Sequence, residues 1–158
     1  MCFRCAHMYT ERSKNSMSRK FSVSIKGLQS YAGQDENTDI ELVSECEFFE
    51  SDGVYFCNYE ESEITGLGGT KTSIEIAKDY VCLTRRGTVN SQMLFMEGRK
   101  TTSIYAMPFG ELTIDIHTKS LEANVTDNGG TLKVDYIIDI NNLSSGRNTF
   151  DIIIKEDK

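Results

Sequence analysis

From Met17 onward, apolar residues recur at every second position, and turn-forming residues interrupt the runs. That spacing puts alternate side chains on one face of an extended strand and is incompatible with the 3.6-residue stripe of a helix. Phe21, Val23 and Ile25 alternate in the first run, and Ile40, Leu42, Cys46 and Phe48 share one parity between Asp39 and Ser51. Asp52-Gly53 then predicts a tight hairpin, because both residues tolerate the positive φ that such turns demand. Further strands read as GVYFCNYEE, KTSIEIAK, DYVCLTRRG, SQMLFME, TTSIYAM, ELTIDIHTKSL, TLKVDYIIDINN and NTFDIIIKE. Turns are expected at Gly66 to Gly69, Lys78-Asp79, Glu97-Gly98, Pro108 to Gly110, Asn128 to Gly130 and Ser144 to Gly146, with a single helical turn near Ser30 to Asp35.

A long meander of short strands leaves two adhesive edges unless it closes on itself. The sequence therefore predicts an all-β fold: one antiparallel up-and-down β-barrel of about 8–10 strands. A β-sandwich is the alternative, since alternation alone does not separate the two. A chain of 158 residues with 39% hydrophobic residues suffices for one packed core without disulfides or metal. The longest apolar run, Met93 to Met96, is far too short to span a bilayer as a helix. No apolar h-region of a secretory signal is present, and Cys46, Cys57 and Cys82 are an odd set at unrelated spacings. A cytoplasmic, reducing location is the expectation.

Residues 1–16 break the pattern, showing neither alternation nor a helical stripe. Glu11-Arg12-Ser13 is compatible with a purine-rich ribosome-binding sequence ahead of the Met17 codon, so translation is expected to start at Met17. Residues 1–16 are then a disordered leader or a mis-assigned start, and 17–158 a single domain. The leader carries Arg4, Arg12 and Lys14 against Glu11, so the whole chain's net charge of −7 leaves −9 on the remainder. So acidic a body disfavours nucleic acid and anionic lipid as partners. Cys2, Cys5 and His7 lack the second ligand pair that a structural zinc site needs.

The segments SVSIKGLQ (22–29), YEESEITGLGGTKTSI (59–74) and RRGTVNSQMLFMEGRKTTSIYAMPFG (85–110), with the Asn128-Gly129-Gly130 turn, are similar in order and spacing to the YwiB-like family of small bacterial proteins. The resemblance covers Met17 to Glu156 and departs at Gly68, where a larger, often acidic residue is expected. It implies a calycin-like, lipocalin-related barrel with a ligand-sized interior, and supplies no catalytic residue to carry over.

Other chemical signatures fail on detail. Gly66 to Thr72 lacks the glycine that a phosphate-binding loop places before its lysine, and a strand follows instead of a helix. Asp35 to Asp39 begins like a calcium loop, but Ile40 and Cys46 stand where glycine and glutamate are required. His117 has the parity opposite to Leu112, Ile114 and Ile116 and so faces outward, and the three body cysteines read as small packing residues. No metal site or cofactor is expected.

Arg85 carries more information. It shares parity with Val81 and Leu83, so its guanidinium points inward, where an unpaired charge is costly. Glu60, Glu61 and Glu63 are candidate partners within an internal salt-bridge network; the other reading is the acidic group of a bound ligand. Tyr59, Thr70, Thr72, Asn90, Ser91, Thr102 and Tyr105 are candidates to add hydrogen-bonding groups to the same cavity. Three functions follow in order: a non-enzymatic barrel binding a small acidic or amphipathic molecule, an acidic module docking a basic protein partner, and an enzyme using pocket carboxylates for proton transfer. No spacing in the chain approaches a recognised catalytic signature, which places the enzyme last.

Overall fold

The computed structural model describes residues 19–30, 37–62, 68–141 and 143–157. The leader with Cys2, Cys5 and His7, most of the helical turn expected at Ser30 to Asp35, and Gly66 and Leu67 of the glycine-rich loop lie outside the described residues. Ten strands follow one another: β1 (Lys20–Ser30), β2 (Asn37–Ser51), β3 (Val54–Glu60), β4 (Lys71–Ile76), β5 (Val81–Arg86), β6 (Asn90–Phe95), β7 (Lys100–Met107), β8 (Gly110–Thr126), β9 (Gly129–Ile140) and β10 (Leu143–Asp157). Each pairs antiparallel with the next, and β1 also pairs with β10 from Lys20↔Asp157 to Ser30↔Arg147. The result is a closed up-and-down barrel rather than a sandwich, because the terminal strands consume each other's free edges. No helix among the described residues is long and apolar enough to cross a membrane.

The turns follow backbone sterics. Asp52 (φ 52°) and Gly53 (φ 80°) form the expected hairpin with both central residues in the left-handed region. One turn is displaced from its expected place. The chain reverses at Asn141 (φ 50°), and Ser144/Gly146 is instead a register shift within the β9–β10 ladder. Asn141 takes that role because asparagine tolerates left-handed φ and because it grips β8 twice. Its N–H donates to the Thr113 carbonyl at 2.8 Å, and its side-chain oxygen accepts from the Thr113 N–H at 3.1 Å.

Inward-facing residues fill the barrel unevenly. At the end that holds the Asp52-Gly53 turn, Phe21, Val23, Phe48, Ile74, Ile76, Val81, Phe95, Leu132 and Ile154 are all buried in one cluster. Burying each such side chain contributes roughly 1.5–3 kcal/mol. Phe21 and Phe48 meet with ring centroids 4.9 Å apart, and Phe48 stacks on Tyr55 at 5.6 Å. Higher in the barrel, Phe95, Tyr136 and Phe150 form a three-ring set with edge contacts at 5.0, 5.4 and 5.7 Å. On the opposite parity of β3 to β5, Phe56, Glu75 and Cys82 are buried too, and Phe56 stacks on Phe49 at 5.1 Å.

The β8–β9 turn needs glycine. At Gly129 (φ 106°) a Cβ would lie 2.2 Å from the Ile154 carbonyl oxygen, whereas at Gly53 it meets nothing within 4 Å. Gly129→Ala is expected to cost about 2–3 kcal/mol and to lower Tm by roughly 5–10 °C, against about 1 kcal/mol for Gly53→Ala. Thermal denaturation followed by circular dichroism checks both; equal losses would mean that the contact with β10 is not what the glycine serves.

Candidate functional site

Toward the other end, the inward positions turn small or polar, and space opens. Gly27 of β1 stands where Val23 and Ile25 precede it on the same parity, and a Cβ there would meet only the Thr149 carbonyl oxygen, at 3.9 Å. On the facing wall, Thr72, Arg85, Ser91 and Tyr105 form one cross-strand row over β4, β5, β6 and β7. Between these walls lies a cavity of about 370 Å³, mostly apolar, into which Tyr59, Glu61, Arg85, Tyr105 and Asn148 bring polar atoms. The rings of Tyr136 and Phe150 line the same cavity.

Arg85 is the electrostatic centre. Its Nε is buried without a hydrogen-bond partner, and its Nη1 donates to the thioether of Met93 at 3.9 Å. Three ion pairs join described residues, Arg19–Glu156, Lys100–Asp115 and Arg147–Asp135, and Arg85 is in none of them. Its register neighbour Ser91 also has a buried hydroxyl with no partner. Glu61 lines the same cavity but is held toward β3 and β4: its carboxylate accepts from Thr72 Oγ1 at 2.8 Å and from the Tyr59 hydroxyl. Its backbone N–H donates to the Thr70 carbonyl at 2.8 Å.

The tyrosines register these charges. Burial, reinforced by the Glu61 charge and opposed by Arg85, pushes the Tyr59 hydroxyl well above the ordinary phenol range. Burial pushes Tyr136 up to about 12, again with Arg85 opposing. Both phenols are therefore neutral donors at neutral pH, beside a guanidinium that is in no ion pair among the described residues.

The sequence candidates thus divide. Arg85, Glu61, Tyr59 and Tyr105 line the cavity, and Thr72 and Ser91 flank Arg85 in the same row. Thr70 is buried in loop packing, its hydroxyl accepting from the Val89 N–H at 3.4 Å. Asn90 is exposed and braces the β5–β6 turn, accepting from the Gly87 N–H at 3.2 Å and donating to the Gly87 carbonyl at 2.9 Å. Thr102 faces outward, one strand step out of phase with Tyr105, and donates to Asp115 at 2.6 Å. The sequence reading misses Tyr136, Asn148 and Phe150, although Tyr136 shares the parity of Leu132, Val134 and Ile138 on β9, and Asn148 and Phe150 that of Ile152 and Ile154 on β10, so continued alternation was the signal that could have found them.

Lys71 opens strand β4 rather than a helix, in keeping with the rejected phosphate loop. His117 lies on the outer parity of β8, opposite Lys100 and Ile137. Cys46 and Cys57 are free thiols, and Cys82 is not among the free ones. Donation of the Cys57 S–H toward the Cys46 sulfur, and then burial, push the Cys57 thiol well above its usual range. Among the described residues, no three His, Cys, Asp or Glu side chains are placed to hold a metal ion.

Residues 23–152, nearly the whole barrel, match the family described as Domain of unknown function (DUF1934). The chain belongs to that family. This DUF1934 barrel is 32% identical over 83 residues to the "Uncharacterized beta-barrel protein YwiB" of Bacillus subtilis (strain 168); the match spans 52% of this chain and 56% of that protein. The crystal structure of the ywiB protein from Bacillus subtilis superposes with a TM-score of 0.71 at 19% identity, covering 89% of this chain and 93% of that one. At that identity the superposition speaks for the fold, and the expected YwiB-like barrel is what the chain forms.

The raised tyrosine Tyr136 has a measurable consequence. Its pKa is raised from 10.0 when unfolded to about 12 when folded, so its stabilising contribution is complete below pH 10 and is lost as pH rises from about 10 toward about 12. Tyr136→Phe is expected to flatten the decline in stability over that window, as read from urea unfolding at stepped pH. An unchanged slope would show that the Tyr136 phenol is solvated in the folded state.

Proposed function

We propose that this barrel binds a small amphipathic anion, its acid group on Arg85 and its apolar body against Ile138, Phe150 and Ile152. The observation that carries the reading is the orphaned, buried Nε of Arg85 facing an apolar cavity of about 370 Å³. An inward guanidinium without an anion is costly, and an arriving carboxylate relieves that cost through charge-assisted hydrogen bonds. Ser91, whose hydroxyl is also unpartnered, stands beside it. The volume lies in the range of small-molecule sites, and the few polar groups in an apolar lining have the composition such sites share. Glu61 restricts the choice of ligand, since a second acid group on that side of the cavity would meet its charge.

The test is calorimetric titration with decanoate and with decanol, which share an alkyl chain and differ in charge. Decanoate is expected to bind about 10–100-fold more tightly, the value of a hydrogen bond to a charged group, and Arg85→Met is expected to bring the two alcohol and acid affinities together. The same variant is expected to unfold at an equal or higher temperature, because it removes a charge that is in no ion pair among the described residues. Gly27→Val adds bulk into the cavity at a position with ordinary strand geometry, so it is expected to weaken decanoate binding without loss of stability. Equal affinity of the wild-type protein for acid and alcohol, or a strongly destabilised Arg85→Met, would return Arg85 to a purely structural role.

A further inference from the structure

The cysteines of the β2–β3 hairpin have no part in the anion reading, yet they form an unusual pair. The register sets Phe48 opposite Cys57, which places Cys46 on the same inward face, one diagonal step from Cys57. The Cys57 thiol also senses Cys46, which together with burial pushes it well above its usual range. They differ sharply in access. Cys57 is completely buried, whereas Cys46 is half-buried and lines an open groove of about 500 Å³ together with Arg19, Lys20, Tyr59 and Lys71. Backbone support also changes there. The β2–β3 ladder ends at Glu47↔Asn58, so Cys46 lies one residue past the last pair and is held by β1 through Phe21↔Cys46.

We propose that Cys46 and Cys57 are a redox-active dithiol, with Cys46 the attacking thiol, Cys57 the resolving one, and a low-molecular-weight disulfide such as glutathione disulfide the oxidant. The Cys46 thiolate attacks one glutathione sulfur, forming a mixed disulfide and expelling a glutathione thiolate. The Cys57 sulfur then attacks the Cys46 sulfur of that mixed disulfide, expelling the second glutathione, whose thiolate takes up the Cys57 proton. One Cys46–Cys57 disulfide and two reduced glutathiones result, with two electrons passed to the oxidant. The new bond ties β2 to β3 where their hydrogen-bonded ladder stops. Tyr59 lines both the groove and the interior cavity, so the tether forms in the wall between them.

The sequence makes the test clean. Trypsin releases Gly27 to Lys71 as one peptide, which contains Cys46 and Cys57 and no other cysteine. The folded full-length protein is incubated with glutathione disulfide, acid-quenched, denatured, alkylated and digested. The expected product is this peptide two hydrogens lighter and without alkyl label. Cys57→Ser is expected to hold one glutathione on Cys46, while Cys46→Ser is expected to take none, because Cys57 is out of reach of the reagent. A wild-type peptide that accepts two alkyl groups after treatment, or one that retains glutathione on Cys46, would overturn the proposal. Both of those outcomes are read on the wild-type chain and do not depend on either variant folding.

Discussion

The pairing of the first strand with the last is the constraint on which the rest of the barrel depends. Every other ladder joins neighbours in sequence and closes a short loop, whereas β1–β10 brings Lys20 to Asp157 and closes nearly the whole chain. Its entropic cost grows only slowly with loop length, but it is incurred before any of its contacts form. What offsets it is the inward pairing of Val23 with Ile154 and Ile25 with Ile152, all within the packed core or against it. At the rim, Arg19 donates to Glu156 at 2.9 Å and lies over the Phe21 ring at 5.0 Å. That exposed pair contributes little by itself, and the apolar ladder beneath it carries the closure.

Closure turns one face of every strand into an interior, and the size of the inward residue then decides whether a level of the barrel is solid or hollow. Phenylalanine, isoleucine and valine fill the end around Phe21, Phe48 and Phe95. At the other end Gly27 is too small to meet the opposite wall, and Thr72, Ser91 and Arg85 are too polar to pack there as core. The Phe95, Tyr136 and Phe150 rings form the floor between the two regimes. A half-buried guanidinium in no ion pair among the described residues is tolerated because the filled end supplies the stability that this end forgoes. Consistency across levels fails at this one place, which is where function is expected to concentrate.

Alternation located the strands well, because a half-buried antiparallel strand has to alternate. Continued from Val81 and Leu83, it also pointed Arg85 toward the interior, where the side chain lines the cavity. It failed where two candidates of opposite parity were taken from one strand. Tyr105 and Thr102 cannot both face inward on β7, and it is Thr102 that faces Asp115 outside. Asn90 and Ser91 are adjacent, so only Ser91 reaches the interior. The turn expected at Ser144 to Gly146 failed for a different reason. Serine and glycine suit a bulge as well as a turn, and the two hydrogen bonds of Asn141 to Thr113 decided between them.

By itself, the sequence determined that this chain is made of consecutive antiparallel strands, that they pair with their neighbours, and that one arginine points inward. Those are properties of local spacing, and local spacing is written residue by residue. Only the tertiary structure decided that Arg85 is in no ion pair among the described residues, that Glu61 is turned instead toward Tyr59 and Thr72, that Gly27 leaves a void, and that Cys46 stands one diagonal step from Cys57. Each of these depends on the register between strands and on what stands across the barrel, and distances across a closed sheet are set by shear and packing rather than by the period of any single strand.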